Sequence, residues 1–570
     1  MRWTLLAILS LIGFQGLADG VPYPMPVEVK PFPQAVRDFL PGKDEAPSPK
    51  TEVTDAWGHT YKATDKGLLC EPSQGRGRLL TGKDGLPVEA IACLDLCPDG
   101  TLWMGTSKGA IRFIQGRFEY YASQRWLPND EVVSLSCQDD GSVLVYTAKG
   151  TSHIRFPEMT LEEKAEHYEE LTDARHKRYG FVAGSGLSDP FDLTTYRHHI
   201  SDNDGLWTAM YVAAESFRYA VTGEKEARDK ASESFHAILA LEKKTGIPGF
   251  PARALTHRSE PQFGHHGEGE WHKTEDGEWE WKGDTSSDEI DGHYFAWGIY
   301  YDLVADEKER QEIEGTVTRV TDHILDHDFY LVDKDGLPTR WGCWHPDKLN
   351  RSPFWRLERG LNSLEMLSYL KVAHHITGKD RYAEVARELI EKHKYAVNAL
   401  DQKIMPGDFM GAVENHSDDE LAFLAYYALI RLEEDPELRS LYVASLERSW
   451  QIDRPERCPL WNFMYGGLTG RPCDAEEAVV ALQTIPLDLI EWRIVNSHRA
   501  DIQLDEQRNR FKQLKVREPL PWTERPMHKW NGDPYEVDGG GSHSEECGTF
   551  WLLPYWMGRY HGIIREAQSP

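Results

Sequence analysis

The feature that most constrains this chain is a repeated pairing of helical stretches between residues 181 and 565. An almost wholly apolar run ends in a short turn and is followed by a charged, amphipathic run. LWTAMYVAAESFRYAVTG is followed by EKEARDKASESFHAILALEKKTG, HYFAWGIYYDLVAD by EKERQEIEGTVTRVTDHIL, GLNSLEMLSYLKVAHHITG by KDRYAEVARELIEKHKYAV, and LAFLAYYALIRLEED by PELRSLYVASLERSW. Gly223 and Gly378 stand where a helix end favours glycine. A helix that is apolar on all sides must be enclosed, whereas its amphipathic successor can face water. Successive hairpins of this kind predict a mainly α fold, an α/α toroid closed fully or in part, with the apolar helices inside. A solenoid of short repeats is the competing expectation, and the unequal hairpin spacing with long intervening loops disfavours it.

The N-terminal part follows different rules. Residues 1–18 carry Arg2, an apolar run from Leu5 to Phe14 and the small-residue stretch Gly16-Leu17-Ala18, the pattern of an export signal. That run is too short to cross a bilayer, and no later one is long enough, so a secreted or periplasmic protein without a membrane span is expected. Residues 19–55 read as a proline-rich, extended leader. Over 57–156, LPVEAIACLDLCPDGTLWMGTSKGAIRF returns as LPNDEVVSLSCQDDGSVLVYTAKGTSHIRF, with Pro87 and Pro128, Gly100 and Gly141, and Gly109 and Gly150 in equivalent places. Alternating runs broken by Asp-Gly and Lys-Gly turns predict strands and hairpins. A period near 40 resembles the blades of two-component-regulator propellers, and Lys66-Gly67 ends an earlier, degraded copy. So few blades cannot close a ring, so this small all-β propeller-like module is expected to lean on the next domain and to act structurally. Residues 157–180 read as a charged helical linker. Eight cysteines without a CxxC or Cys/His pattern fit scattered thiols or one or two disulfides, and no cofactor or metal motif is present. The net charge of −29, with no basic patch, argues against nucleic acid as a partner. The oligomeric state is not written in the sequence.

In a toroid the inner helices run parallel, so their starts share one rim. The segments entering them are HHISDNDGLW, GDTSSDEIDGHYF, FWRLERGLNS, ENHSDDELAF and DGGGSHSEECGTFW. Ser, Asp and Asn suit helix caps, but capping does not ask for His199, His293, Arg359, His416 and His543. A cleft at this rim is therefore expected. The residue types suited to its chemistry are His293, Tyr294, Arg340, Asn203, Asp288, Glu289 and Asp291. Those suited to holding a sugar are His199, Asp202, Trp207, Trp341, Trp344, His345, Arg359, Asn362, His416 and His543. The aromatic-rich EWHKTEDGEWEWKGD reads equally as a platform or as a surface loop.

The rim segments, TRWGCWHPDKLN, ERGLNSLEMLSYLKVAHHITG and LLPYWMGRYHG together resemble exported bacterial α/α-toroid enzymes that degrade polysaccharides. Polysaccharide lyase family 38 and, less closely, the unsaturated-glucuronyl hydrolases are the families it is similar to. The resemblance implies an enzyme acting on glycans, uronate-containing ones foremost, by β-elimination. In that case Asn203, His293 and Arg340 serve as neutraliser and base, with Tyr294 beside them. The alternatives are hydrolysis by paired carboxylates, drawn from Asp288, Glu289, Asp291, Asp202 and Asp418, and carbohydrate binding without catalysis.

Overall fold

A computed structural model describes residues 23–40, 45–267, 269–402, 415–509, 512–526 and 528–566. The export signal expected at 1–18 lies outside them. Among the described residues, twelve longer helices build the main domain. They are α1 (Leu161–Arg175), α2 (Asp204–Thr222), α3 (Lys225–Thr245), α4 (Ser287–Leu303), α5 (Glu307–Asp326), α6 (Arg359–Thr377), α7 (Asp380–Glu391), α8 (His416–Leu432), α9 (Pro436–Asp453), α10 (Pro459–Thr469), α11 (Ala475–Thr484) and α12 (Thr549–Tyr560). The even-numbered helices each pack on the next, α2 on α4, α4 on α6, α6 on α8, α8 on α10 and α10 on α12, and α12 returns to α2. The odd-numbered helices lie outside them. This is a closed α/α toroid of six hairpins.

The apolar periodicity explains the division of labour. Helix α4 is buried continuously from Glu289 to Tyr300, whereas α7 buries only Tyr382 and Leu389. Glycine in the left-handed conformation ends α2, α6 and α10, at Gly223, Gly378 and Gly470. Among these helices, side-chain caps occur only on outer ones, on three of the six. Thr160, Asp306 and Asp435 cap the outer helices α1, α5 and α9 with their side chains. None of the six residues that precede the inner helices does so.

The stretch expected as a linker is α1, and it is part of the ring. It packs on α12, Tyr168 is fully buried and donates to Pro486 O (2.5 Å), and the Lys164 ammonium donates to Gln34 Oε1, Gln483 O and Ile485 O. Residues expected as an extended leader also join the framework. Val27–Val29 pairs in parallel with Ile564–Glu566, which ties the two ends of the described chain together. Val36–Leu40 adds the fourth strand to a sheet formed by Val132–Cys137, Val143–Thr147 and Gly150–Arg155. These pairings join residues hundreds of positions apart, so no local pattern announces them.

The repeat region forms three four-stranded antiparallel sheets. Gly67, Gly109 and Gly150 occupy equivalent hairpins, all at positive φ. A Cys97–Cys137 disulfide links the second sheet to the third. The module leans on the segment before α12. Tyr120 N donates to Glu524 Oε1, and the buried Arg125 guanidinium donates to Thr523 O and Arg525 O.

Candidate functional site

The starts of α2, α4, α6 and α8 open into one cleft of about 1150 Å³. Its floor carries Asn203, Ser286, Ser287, Asp288, Glu358, Asn362 and Asp418. One wall is the sheet of Leu255–His257, Trp271–Lys273 and Trp279–Lys282, and the other is the hairpin of Tyr330–Val332 and Pro338–Cys343. Over α10 and α12 the rim is covered by the segment around Lys529 and Trp530.

The polar residues at these helix starts are not spent on capping. The Asn203 amide donates to Asp288 Oδ2 (3.1 Å), and its oxygen accepts from Arg253 Nη1 (3.3 Å). Arg253 also donates to Asp202 O and Asp284 O. Asp284 is the pivot of this loop. It takes φ of +52°, accepts Arg340 N–H with its carboxylate (2.9 Å), and donates its own N–H to Asp333 (2.7 Å). A non-glycine residue holds that conformation only where its surroundings impose it. Lys282 pairs with Asp202 across the mouth.

Two carboxyls on the floor stand apart. Burial holds Asp288 above the usual carboxylate range, against the opposing influence of Arg253 and the Asn203 amide. Glu358, directly before α6, is raised by burial and then by the charge of Asp288. No donor among the described residues reaches the Glu358 carboxyl. A half-buried acid without a partner, facing a cleft beside a second carboxyl, is available for proton transfer.

Of the residues expected at the site, the structure brings His199, Asp202, Asn203, Asp288, Arg340, Trp341 and Asn362 to the cleft. Others lie beneath it. Only the first turn of each inner helix reaches the rim, and one turn further in, about 5.4 Å deeper, is core. Glu289, Asp291, His293, Tyr294 and Trp344 are all at most 1% exposed. Tyr294 hydrogen-bonds Thr321 (2.6 Å) and stacks on Tyr369, and the Trp344 indole donates to Glu365 (2.8 Å). Burial pushes His293 down to about 3, leaving its imidazole neutral and 3.7 Å from Glu289. His293 and Tyr294 are thus in the core, out of reach of a cleft ligand.

The remaining five lie elsewhere. His345 caps the short helix Pro346–Arg351 and pairs with Asp328. His416 lies between Asp419 and Asp533; burial disfavours its charge, but these carboxylates outweigh that and raise it to about 10. His543 is exposed away from the cleft, and Arg359 follows Glu358 without lining it. Trp207 faces a smaller neighbouring cavity. Sequence reasoning missed Glu358, Arg253, Asp284 and Trp355. Trp271 and Lys282 lie in the aromatic segment whose role the sequence left undecided. Among the described residues no group of three or more His, Cys, Asp or Glu is arranged to hold a metal ion.

The Asn203–Asp288 contact depends on how closely α2 and α4 cross. Gly205 of α2 lies against Glu289 and His293 there, and Gly292 of α4 lies against Leu206, where a Cβ on Gly292 would be 2.8 Å from Leu206 Cα. Alanine at 292 gains about 1 kcal/mol of helix propensity but overpacks a backbone contact, which costs about 1–3 kcal/mol. Gly292→Ala is therefore expected to lower stability by up to about 2 kcal/mol in chemical denaturation and to weaken catalysis. Unchanged stability would show that the crossing can relax.

No family model and no curated protein matches the chain. Among solved structures it is similar to a sugar epimerase from a ruminal bacterium (11% identity, TM-score 0.37, covering 70% of this chain and 98% of that one). It is also similar to an unsaturated glucuronyl hydrolase specific for heparin (9%, 0.35, 70% and 95%). A third is the GH76A α-1,6-mannanase from Salegentibacter sp. HEL1_6 (11%, 0.28, 71% and 99%). Likeness at this level carries no argument about what this chain does.

Proposed function

We propose that the protein is a carbohydrate-active enzyme that hydrolyses a glycosidic bond in this cleft, with Glu358 as proton donor and Asp288 as the ionised partner. The observation that supports it is the pair of carboxyls on the floor, in unlike surroundings. Burial raises Asp288, but the Asn203 amide it accepts from and the nearby Arg253 guanidinium oppose that and support its anion. Glu358 has no such donor, which favours its neutral acid. Unequal environments for two neighbouring acids are what acid–base division of labour requires. Trp271, Trp341 and Trp355 supply flat apolar surfaces for sugar rings.

Elimination from a uronate is the second reading, supported by Arg340, Asn203 and His199 at the same cleft. No tyrosine lines the cleft among the described residues, so the base would be a histidine. The site of action is outside the cytoplasm on this proposal, in keeping with residues 1–18 and with the disulfide. The β module acts as a brace, holding residues 523–525 and through them the cover around Lys529. The products decide between the two chemistries. Incubation with a panel of neutral and uronate polysaccharides is expected to release new reducing ends without the ultraviolet absorbance of an unsaturated uronate. Appearance of that absorbance in step with cleavage would establish elimination instead.

A further inference from the structure

Beside the cleft, at the starts of α2 and α12, lies a second cavity of about 100 Å³. His199 borders both spaces, so the small chamber continues the cleft around the rim. One side is aromatic. Trp530 and Phe550 are 6% and 4% exposed, with ring centroids 5.5 Å apart, and Trp207 completes that side. Donors lie beside these rings. Lys529 Nζ lies 4.4 Å from the Trp207 ring centroid and 3.5 Å from Glu546 Oε1. The His199 imidazole makes no side-chain hydrogen bond among the described residues. Glu545, also at the border, is occupied by Arg175 at 2.7 and 2.8 Å.

These features select a ligand group. At about 100 Å³, against about 1150 Å³ for the cleft, the space suits a substituent such as an acetyl group better than a further sugar ring. Glu546 already balances the charge of Lys529, which favours a neutral acceptor over an anion. An aromatic face with donors beside it suits a methyl group attached to a carbonyl. We infer that this chamber receives an acetyl group carried by the sugar bound at the start of α2, with the methyl against Trp530 and Phe550 and the carbonyl oxygen accepting from Lys529 or His199. The inference rests on the reading that a glycan occupies the cleft, and it narrows the substrate to acetylated sugars.

Saturation-transfer NMR and competition titration with N-acetylglucosamine, an O-acetylated glucose, glucosamine and glucose test it. The acetylated sugars are expected to bind about tenfold more tightly than their parents, about 1.4 kcal/mol, with the strongest saturation on the acetyl methyl. Whichever of the two acetylated sugars binds identifies an amide or an ester. Phe550→Trp, which fills the chamber, and Lys529→Met, which removes a donor without disturbing the packing, are each expected to bring that ratio towards one. Equal binding of all four sugars, binding of none, or a preference that survives both variants would overturn the chamber. The product assay on polysaccharides decides the hydrolase reading separately, so the two can fail independently.

Discussion

Exchange of Glu358 for glutamine is expected to lower kcat/KM on a natural glycan by about 10²–10⁴-fold, the usual contribution of a positioned proton donor. The leaving sugar oxygen is a poor leaving group until it is protonated, and glutamine keeps the size of the side chain while removing the proton. A glycoside with an acidic phenol as leaving group does not need that proton, so much less should be lost with such a substrate. The pH profile provides a second check. Burial and the charge of Asp288 both raise Glu358, so the donor form persists to higher pH than for an ordinary glutamate. Activity is expected to fall as pH rises through that titration, and Glu358→Gln should abolish this limb. Full activity of a folded Glu358→Gln protein on an unactivated glycan would remove Glu358 from the chemistry.

What the sequence showed and what it hid follow from the range of the interactions. The toroid was legible because each inner helix is apolar on all sides and each outer helix on one, a local signal repeated hairpin after hairpin. The gathering of helix starts at one rim followed from that architecture, and Asn203, Asp288 and Asn362 line the cleft there. The depth of the site was not legible. Asp288, Glu289, Asp291 and His293 look equivalent in a string, but the helical turn gives only Asp288 to the cleft. Glu358 was overlooked beside Arg359 because nothing local marks a carboxyl as partnerless. Arg253 and Asp284 reach the floor from loops whose course depends on Asp333 and Arg340, far along the chain. The strand that Val36–Leu40 gives to the third sheet was hidden for the same reason.

Asp288→Asn is expected to lower turnover by about 10³-fold or more, because it removes the charge that stabilises or attacks the reacting sugar carbon. Asparagine is nearly isosteric and can still meet the Asn203 amide with its own oxygen, so stability should change little and a loss of rate can be assigned to chemistry. The substitution also acts on Glu358. Two carboxyls that feel each other titrate as a pair, and the negative charge of Asp288 is one of the two causes that raise Glu358. With that charge gone, Glu358 should lose its proton at lower pH, so the alkaline limb of the residual activity should move down while the acid limb due to Asp288 disappears. A merely structural role for Asp288 would reduce the rate and leave the acid limb in place. A small nucleophilic anion such as azide separates the two possible roles of Asp288. Rescue with formation of a glycosyl azide of inverted configuration would mark Asp288 as the nucleophile of a retaining reaction. Absence of rescue, with single-step inversion by the native enzyme, would mark it as the base that activates water.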